Sequence, residues 1–311
     1  MIFHYGGHIA RFSGVNIGDY IQSIATKNAL SSISNNSYSY FDRDSINFYN
    51  PNFAENEAGG QICIMQGWFA ESLRFLPSSY LFPLFIGTHF AKKAQDFLLH
   101  LNAINPYYFE SKEIGCRDLC TLEFCKKVGF SAYLSRCLTL TLPKRLETKE
   151  QTQIFLVSLD TKHIELLPKQ ISQNATIISQ QNIQLPSHTY QSYFQKAQDL
   201  LDLYKNKAKL VITSALHCAA PCVAMGIPTI LIAKDEENFT RFSALDGILK
   251  IHTQSDLKEG KINYEVESKN IERLKEAMLK NLHLSINKLC KKEADLKELQ
   301  EIREFIANFK V

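Results

Sequence analysis

The chain has 311 residues, 45% of them apolar and 22% charged, with 13 Gly and 9 Pro; this balance excludes a disordered or low-complexity protein. At roughly 100–200 residues per domain the length suggests two domains. The formal net charge of +3, from 35 Lys and Arg against 32 Asp and Glu, is too small to mark a nucleic-acid binder, so no nucleic-acid partner is expected, although local basic patches remain open.

The N-terminus (MIFHYGGHIARF) lacks a basic region followed by an apolar run and a cleavage site, and the expectation is a cytoplasmic protein. A strand is predicted over Met1 to Tyr5, then a loop with Gly6, Gly7, Gly14 and Gly18, then a helix over about Tyr20 to Leu30. A Gly-rich turn feeding a helix has the outline of a phosphate cradle, but its spacing is neither G-x-G-x-x-G nor Walker A. After the polar segment Ser31 to Asn50, strands are predicted at Gln61 to Gln66, closed by Gly67-Trp68-Phe69, and at Leu81 to Gly87. A helix over Ala91 to Leu101, a strand at Glu113 to Arg117, a helix over Leu119 to Val128 and a strand at Ala132 to Leu134 continue the alternation. Strands alternating with helices imply a mostly parallel sheet covered on both faces.

Pro143 to Gln151 is a polar, mostly charged run and the candidate linker. Beyond it the same grammar returns: strands Ile154 to Leu159 and Ala175 to Ser179, a helix over Tyr190 to Lys205, a strand at Leu210 to Thr213, a helix through His217 to Met225 and a strand at Pro228 to Ile232. Leu210 to Ala233 runs 24 residues without a formal charge, long enough to cross a bilayer. Thr213, Ser214, His217, Pro221, Gly226 and Pro228 punctuate it as strand, helix and strand instead. From about Asn270 the spacing of Ile271, Leu274, Met278, Leu282, Ile286, Leu289, Leu296, Leu299, Ile302 and Ile306 predicts a long amphipathic helix or helix pair. Its mixed-sign charges suit packing on the domains better than a membrane surface. The domain expectation is 1–145, 151–268 and a helical segment 269–311 packing back.

Eight cysteines in a chain of this length read as reduced thiols. There is no Cys-x-x-Cys, and the pairs at zinc-compatible spacing lack a second Cys/His pair. No metal and no cofactor are expected.

Four segments carry candidate chemistry. Asn16-Ile17-Gly18-Asp19, with Gln22 just beyond, opens a helix; these are turn and capping residues that would also aim backbone N–H groups into a cleft. Gln66-Gly67-Trp68-Phe69 ends a strand, where ligands collect in open α/β sheets, and the single Trp fits either core packing or substrate stacking. Gly115-Cys116-Arg117-Asp118 ends another strand, and a cleft-facing Arg117 would suit a phosphate or carboxylate. In Thr213-Ser214-Ala215-Leu216-His217, the histidine sits in the first turn of a helix, where the dipole lowers its pKa and favours a neutral base.

Together with Ala132 to Leu142 and Gly226-Ile227-Pro228, these segments resemble the polysaccharide pyruvyl transferase family over about Asn16 to Thr253. The resemblance implies an α/β fold of two Rossmann-like domains facing a cleft, a GT-B-like arrangement, with the long C-terminal helices crossing back. It implies transfer of a pyruvyl group from phosphoenolpyruvate to two sugar hydroxyls as a ketal, on a cell-surface polysaccharide or lipopolysaccharide precursor. His217 matches the family's histidine and is the expected catalytic residue. The donor-side expectations are Arg117, Arg136, Ser214, Asn16, Gly18 and Asp19, and the acceptor-side expectations are Trp68, Gln66 and His89. Two departures stand out: Ala215 where the family has Arg before Leu-His, and Arg136 where it usually has Gly. The first motivates an alternative, a nucleotide-sugar-dependent glycosyltransferase on the same scaffold; a non-enzymatic glycan-binding descendant is the third reading. The partners expected are the phosphoenolpyruvate or nucleotide-sugar donor and a glycan acceptor, with lipid linkage and a peripheral position at the inner membrane face left open.

Overall fold

The computed structural model describes residues 2–5, 15–33, 39–50, 61–70, 73–187 and 189–311. The predicted glycines Gly6, Gly7 and Gly14 lie outside them.

The first half builds β1 (Ile2–Tyr5), α1 (Ile17–Ile33), β2 (Ser39–Asp42), β3 (Gln61–Phe69), β4 (Leu81–Phe90), α2 (Lys92–Ile104), β5 (Ile114–Cys116), α3 (Leu119–Lys127) and β6 (Ala132–Leu134). After a stretch that includes the charged run, the second half builds β7 (Gln153–Val157), the one-turn helices α4 (Thr161–Ile164) and α5 (Lys169–Ser172), β8 (Ala175–Ile178), α6 (Tyr190–Lys207), β9 (Ala208–Thr213), α7 (Leu216–Ala224), β10 (Thr229–Ile232), α8 (Glu236–Arg241), β11 (Ile251–His252) and α9 (Gln254–Lys258). Two helices close the chain, α10 (Glu272–Leu289) and α11 (Leu296–Asn308).

The strands form two sheets, ordered β2-β1-β3-β4-β5-β6 and β11-β10-β9-β7-β8. Every pairing within them is parallel. Both are doubly wound and Rossmann-like: the winding direction reverses once in each sheet, between β1 and β3 and between β7 and β9. Ligands bind outside the carboxyl ends of strands at such reversals. Trp68 and Ser214 flank those points.

The uncharged stretch is β9, α7 and β10, and it is buried because parallel strands are covered on both faces. Among the described residues no helix is long and apolar enough to cross a membrane. Helix α1 is enclosed rather than amphipathic: Ile21, Ile24 and Leu30 join Tyr193, Leu201, Ala219 and Val223 in one apolar cluster. The start of α1 is tied to the second half by Val15, which exchanges backbone hydrogen bonds of 2.9 and 3.0 Å with Ile183.

The C-terminal helices pack back on the first half. Arg303 forms a fork of two 3.2 Å bonds to Glu113 and stacks 3.8 Å from the Tyr133 ring centre. Arg136 performs a larger tie. From a left-handed backbone (φ 56°) its Nε donates to Ile306 O (2.8 Å), its Nη1 to Ala244 O and Asp246 O (3.0 and 2.9 Å) and its Nη2 to Phe309 O (3.2 Å). One guanidinium thus joins three segments far apart in sequence.

Arg136→Ala leaves four carbonyls without their donor, at about 1 kcal/mol each or more, so urea denaturation should show a loss of roughly 3–5 kcal/mol. An unchanged midpoint would refute the tie.

Candidate active site

Three arginines and two histidines meet at the carboxyl ends of the strands. Asp118 organises the first of them. It is the N-cap of α3: its Oδ1 accepts from Thr121 N (3.0 Å) and Thr121 Oγ1 (2.8 Å), filling orphan valences of the first turn. Its Oδ2 accepts from Arg117 Nε (3.2 Å) and His89 Nδ1 (2.7 Å). Burial alone would raise this carboxyl, but His89 and Arg117 hold it well below the usual carboxylate range.

Arg117 is fully buried, and its Nη1 and Nη2 have no hydrogen-bond partner. Buried polar groups are nearly always satisfied, so two orphaned guanidinium nitrogens mark a place for an anion. Two further cations share the site. Arg43 follows β2, with Nη1 3.6 Å from Asp19 Oδ2 and Nη2 3.5 Å from Asp44 Oδ2; its Nε and Nη1 carry no hydrogen bond. Arg241, at the end of α8, has an orphaned Nε, and burial followed by the charge of Arg117 pushes its pKa down. Helix α8 reaches the first half because the next turn docks there, Leu119 N donating to Ser243 Oγ (2.9 Å).

His217 stands in the field of all three. It is buried, its Nε2 is unpartnered and its backbone (φ −83°, ψ 17°) lies in the bridge region frequent at active sites. Burial, then Arg117, Arg241, His89 and Arg43, push its pKa well below the ordinary histidine value. The imidazole is neutral, and its free nitrogen can take a proton. The turn before it is held by Thr213 Oγ1, which donates to Val157 O (2.9 Å) and accepts from Ala215 N (3.0 Å). Ser214 Oγ is buried without a partner in the same turn.

The expected residues divide. Gly18 comes to His217, with Asn16 and Asp19 on either side of it in sequence: a Cβ on Gly18 would lie 3.0 Å from His217 Cβ and 3.2 Å from its Nδ1, so α1 enters close against the imidazole because residue 18 is Gly. Asn16 Oδ1 accepts from Gly18 N (3.0 Å) and shapes that entry. Asp19 is raised by burial, against the lowering by Arg43 and Arg117. Trp68 is half-buried with the Arg43 guanidinium carbon 5.9 Å from its ring centre, and Gln66 is buried with Oε1 unpartnered beside α1.

Two placements correct the expectation. Arg136 is not in the cluster, because its nitrogens bond the four carbonyls described above. His89, expected on the acceptor side, lies within β4 and is buried against Asp118; burial and then Arg117 lower its pKa to about 4. It shares Asp118 Oδ2 with Arg117 Nε.

Arg43 and Arg241 escaped the sequence reading. Arg43 follows a four-residue strand hidden in a polar segment, where Tyr40-Phe41 before Asp42-Arg43-Asp44 was the available signal. Arg241 is a lone cation in a polar helix and left no signal. Among the described residues no cluster of metal-binding side chains occurs.

Comparison with known proteins agrees with this geometry. The polysaccharide pyruvyl transferase family model matches residues 16–236, more than two thirds of the chain, and the chain belongs to that family. It is therefore an enzyme of the transferase class. No curated protein matches.

Two predictions follow from the packing. The folded protein withholds from His89 a proton that the unfolded chain binds below about 6.5, so stability falls as pH drops from about 6.5 to about 4. The loss is about 3 kcal/mol, with His217 adding in the same direction and Asp118 titrating below this window. Denaturation curves across that range should show it, and His89→Asn should flatten the slope. Gly18→Ala should lower turnover at least 10-fold by displacing His217 a few tenths of an ångström while costing under about 1 kcal/mol of stability; full activity in the variant would refute the contact.

Proposed function

We propose that this member of the polysaccharide pyruvyl transferase family takes phosphoenolpyruvate as donor and forms a cyclic ketal on two hydroxyls of a sugar in a cell-envelope polysaccharide or lipopolysaccharide precursor. The observation that carries the reading is the pair of orphaned, fully buried nitrogens of Arg117, whose charge acts on His217. A donor with both a carboxylate and a phosphate needs several fixed cations in a dry site, and Arg43, Arg117 and Arg241 meet that need. Arg43 and Arg241 also bring charge that Ala215 does not supply.

The chemistry assigned to His217 is proton transfer. Nε2 takes the proton of the first hydroxyl as its oxygen bonds to C2 of the enolpyruvyl group, and that proton passes to the methylene carbon, which becomes a methyl. The second hydroxyl oxygen then bonds to C2, the C2–O bond to phosphate breaks, and the second proton leaves through His217 to the released phosphate. One enolpyruvyl phosphate and one diol give one ketal and one inorganic phosphate.

The same reading takes 1–145 and 151–268 as two Rossmann-like domains in a GT-B-like arrangement, with 269–311 returning to the first. It also puts the enzyme in the cytoplasm, working on a glycan that is presented free or lipid-linked at the inner membrane face. The two doubly wound sheets and the Arg303–Glu113 fork support it.

Incubation with phosphoenolpyruvate and sugar acceptors should release phosphate and add a ketal visible by mass spectrometry. His217→Ala should lower kcat about 10²–10⁴-fold with donor binding kept. Arg117→Met should remove about 2–5 kcal/mol of donor binding and with it the thermal stabilisation by phosphoenolpyruvate. Stabilisation by UDP, GDP or CMP in place of phosphoenolpyruvate would overturn the donor and favour the nucleotide-sugar alternative.

A further inference from the structure

Beyond the arginine cluster, a hollow of about 390 Å³ opens at the carboxyl ends of β10 and β11. It lies on the ligand-binding edge of the second sheet, where Ala233 N donates to His252 O (2.8 Å) and joins the two strand ends. Its rim is held by the Thr253–Asp256 capping box at the start of α9. Helix α8 connects the hollow to the reaction centre: Glu236, its first residue, lines the hollow, and Arg241, its last, stands in the field of His217. At about 1.5 Å per residue that is a rise of roughly 8 Å, about the reach of one further sugar ring.

The lining chemistry differs from that of the arginine site. Glu236 contributes a carboxylate, whereas Lys234, the cation of the lining, is paired with Asp160 at 2.6 Å. An anionic ligand finds no unpaired cation on such a surface. Phe239 lines the hollow and is 42% exposed, and Gln254 and Glu236 offer amide and carboxylate groups in the same lining. An apolar ring face flanked by acceptors and donors of hydrogen bonds suits a neutral pyranose, whose C–H face covers the ring while its hydroxyls reach the rim.

We infer that this hollow is an acceptor subsite, holding the neutral sugar unit next to the one modified at His217. The assignment rests on the reading above that the arginines hold the anionic donor. It divides the two substrates by charge: the anion goes to Arg43, Arg117 and Arg241, the uncharged glycan to Phe239, Glu236 and Gln254.

Saturation-transfer NMR tests it without turnover, using the full chain with glucose, galactose, N-acetylglucosamine, lactose and cellobiose, and UMP as the contrasting probe. At least one saccharide should give ring-proton signals that drop fivefold or more in Phe239→Ala and in Glu236→Ala, while the thermal stabilisation by phosphoenolpyruvate stays unchanged in both. No saccharide signal with wild type, a signal indifferent to both substitutions, or UMP signals lost in Phe239→Ala would overturn the subsite. Loss of the phosphoenolpyruvate shift in wild type with the saccharide result intact would instead sink the donor reading alone. In a turnover assay, Phe239→Ala should raise KM for the acceptor at least fivefold and leave KM for the donor unchanged.

Discussion

The Asp118 carboxylate is the constraint on which the site depends. One of its oxygens closes the first turn of α3 and the other binds Arg117 and His89, so a single buried charge sets a helix, a cation and an imidazole at once. Because Arg117 gives only its Nε to Asp118, its two terminal nitrogens are left without a partner. Burial and the Arg117 charge keep His89 neutral in spite of its bond to Asp118, so it adds no further positive charge behind them. A buried cation beside a buried carboxylate is not in itself stabilising. Here the pair is retained because it orients what is left unpaired.

That arrangement needs both halves of the chain. Arg43, Arg117 and His89 come from the first sheet, His217, Ser214 and Arg241 from the second, and Gly18 on α1 touches His217 between them. The shared apolar layer of α1, α6 and α7 and the Val15–Ile183 bridge keep the halves in register. The Arg136 tie and the Arg303–Glu113 fork add two attachments through the C-terminus. Since one ångström of displacement at a reacting group can cost about a hundredfold in rate, residues remote from the chemistry, Arg136 among them, matter to it.

Much of this was legible in the sequence because the signals were local. Strand and helix alternation, the His217 turn and the Arg117-Asp118 strand end are each contained in a few neighbouring residues. What was not legible depended on distance. His89 and Asp118 are 29 residues apart, and nothing in either segment announces the bond between them. Arg136 was read as a ligand-binding cation because its partners are backbone carbonyls up to 173 residues away, which leave no trace in side-chain identity. Strand β2 has only four residues in a polar context, so Arg43 lost the landmark that would have placed it at a strand end. The enclosed face of α1 likewise hid the merging of two sheets into one core.

The electrostatics of the cluster bear on how one imidazole could serve two proton transfers. In the ligand-free protein burial, Arg117, Arg241 and Arg43 all oppose protonation of His217, which favours a base and disfavours an acid. An anionic donor bound to those arginines would offset their field at His217, and burial would remain. The imidazole's pKa then rises toward the range in which it can hold a proton between its removal from a hydroxyl and its delivery to carbon or phosphate. On the proposed reaction, the donor thus switches its own catalyst, and departure of phosphate, carrying the last proton, restores the depressed state. The modest net charge of +3 is compatible with this, since the positive potential is concentrated by burial at one edge of two sheets, not spread over the surface.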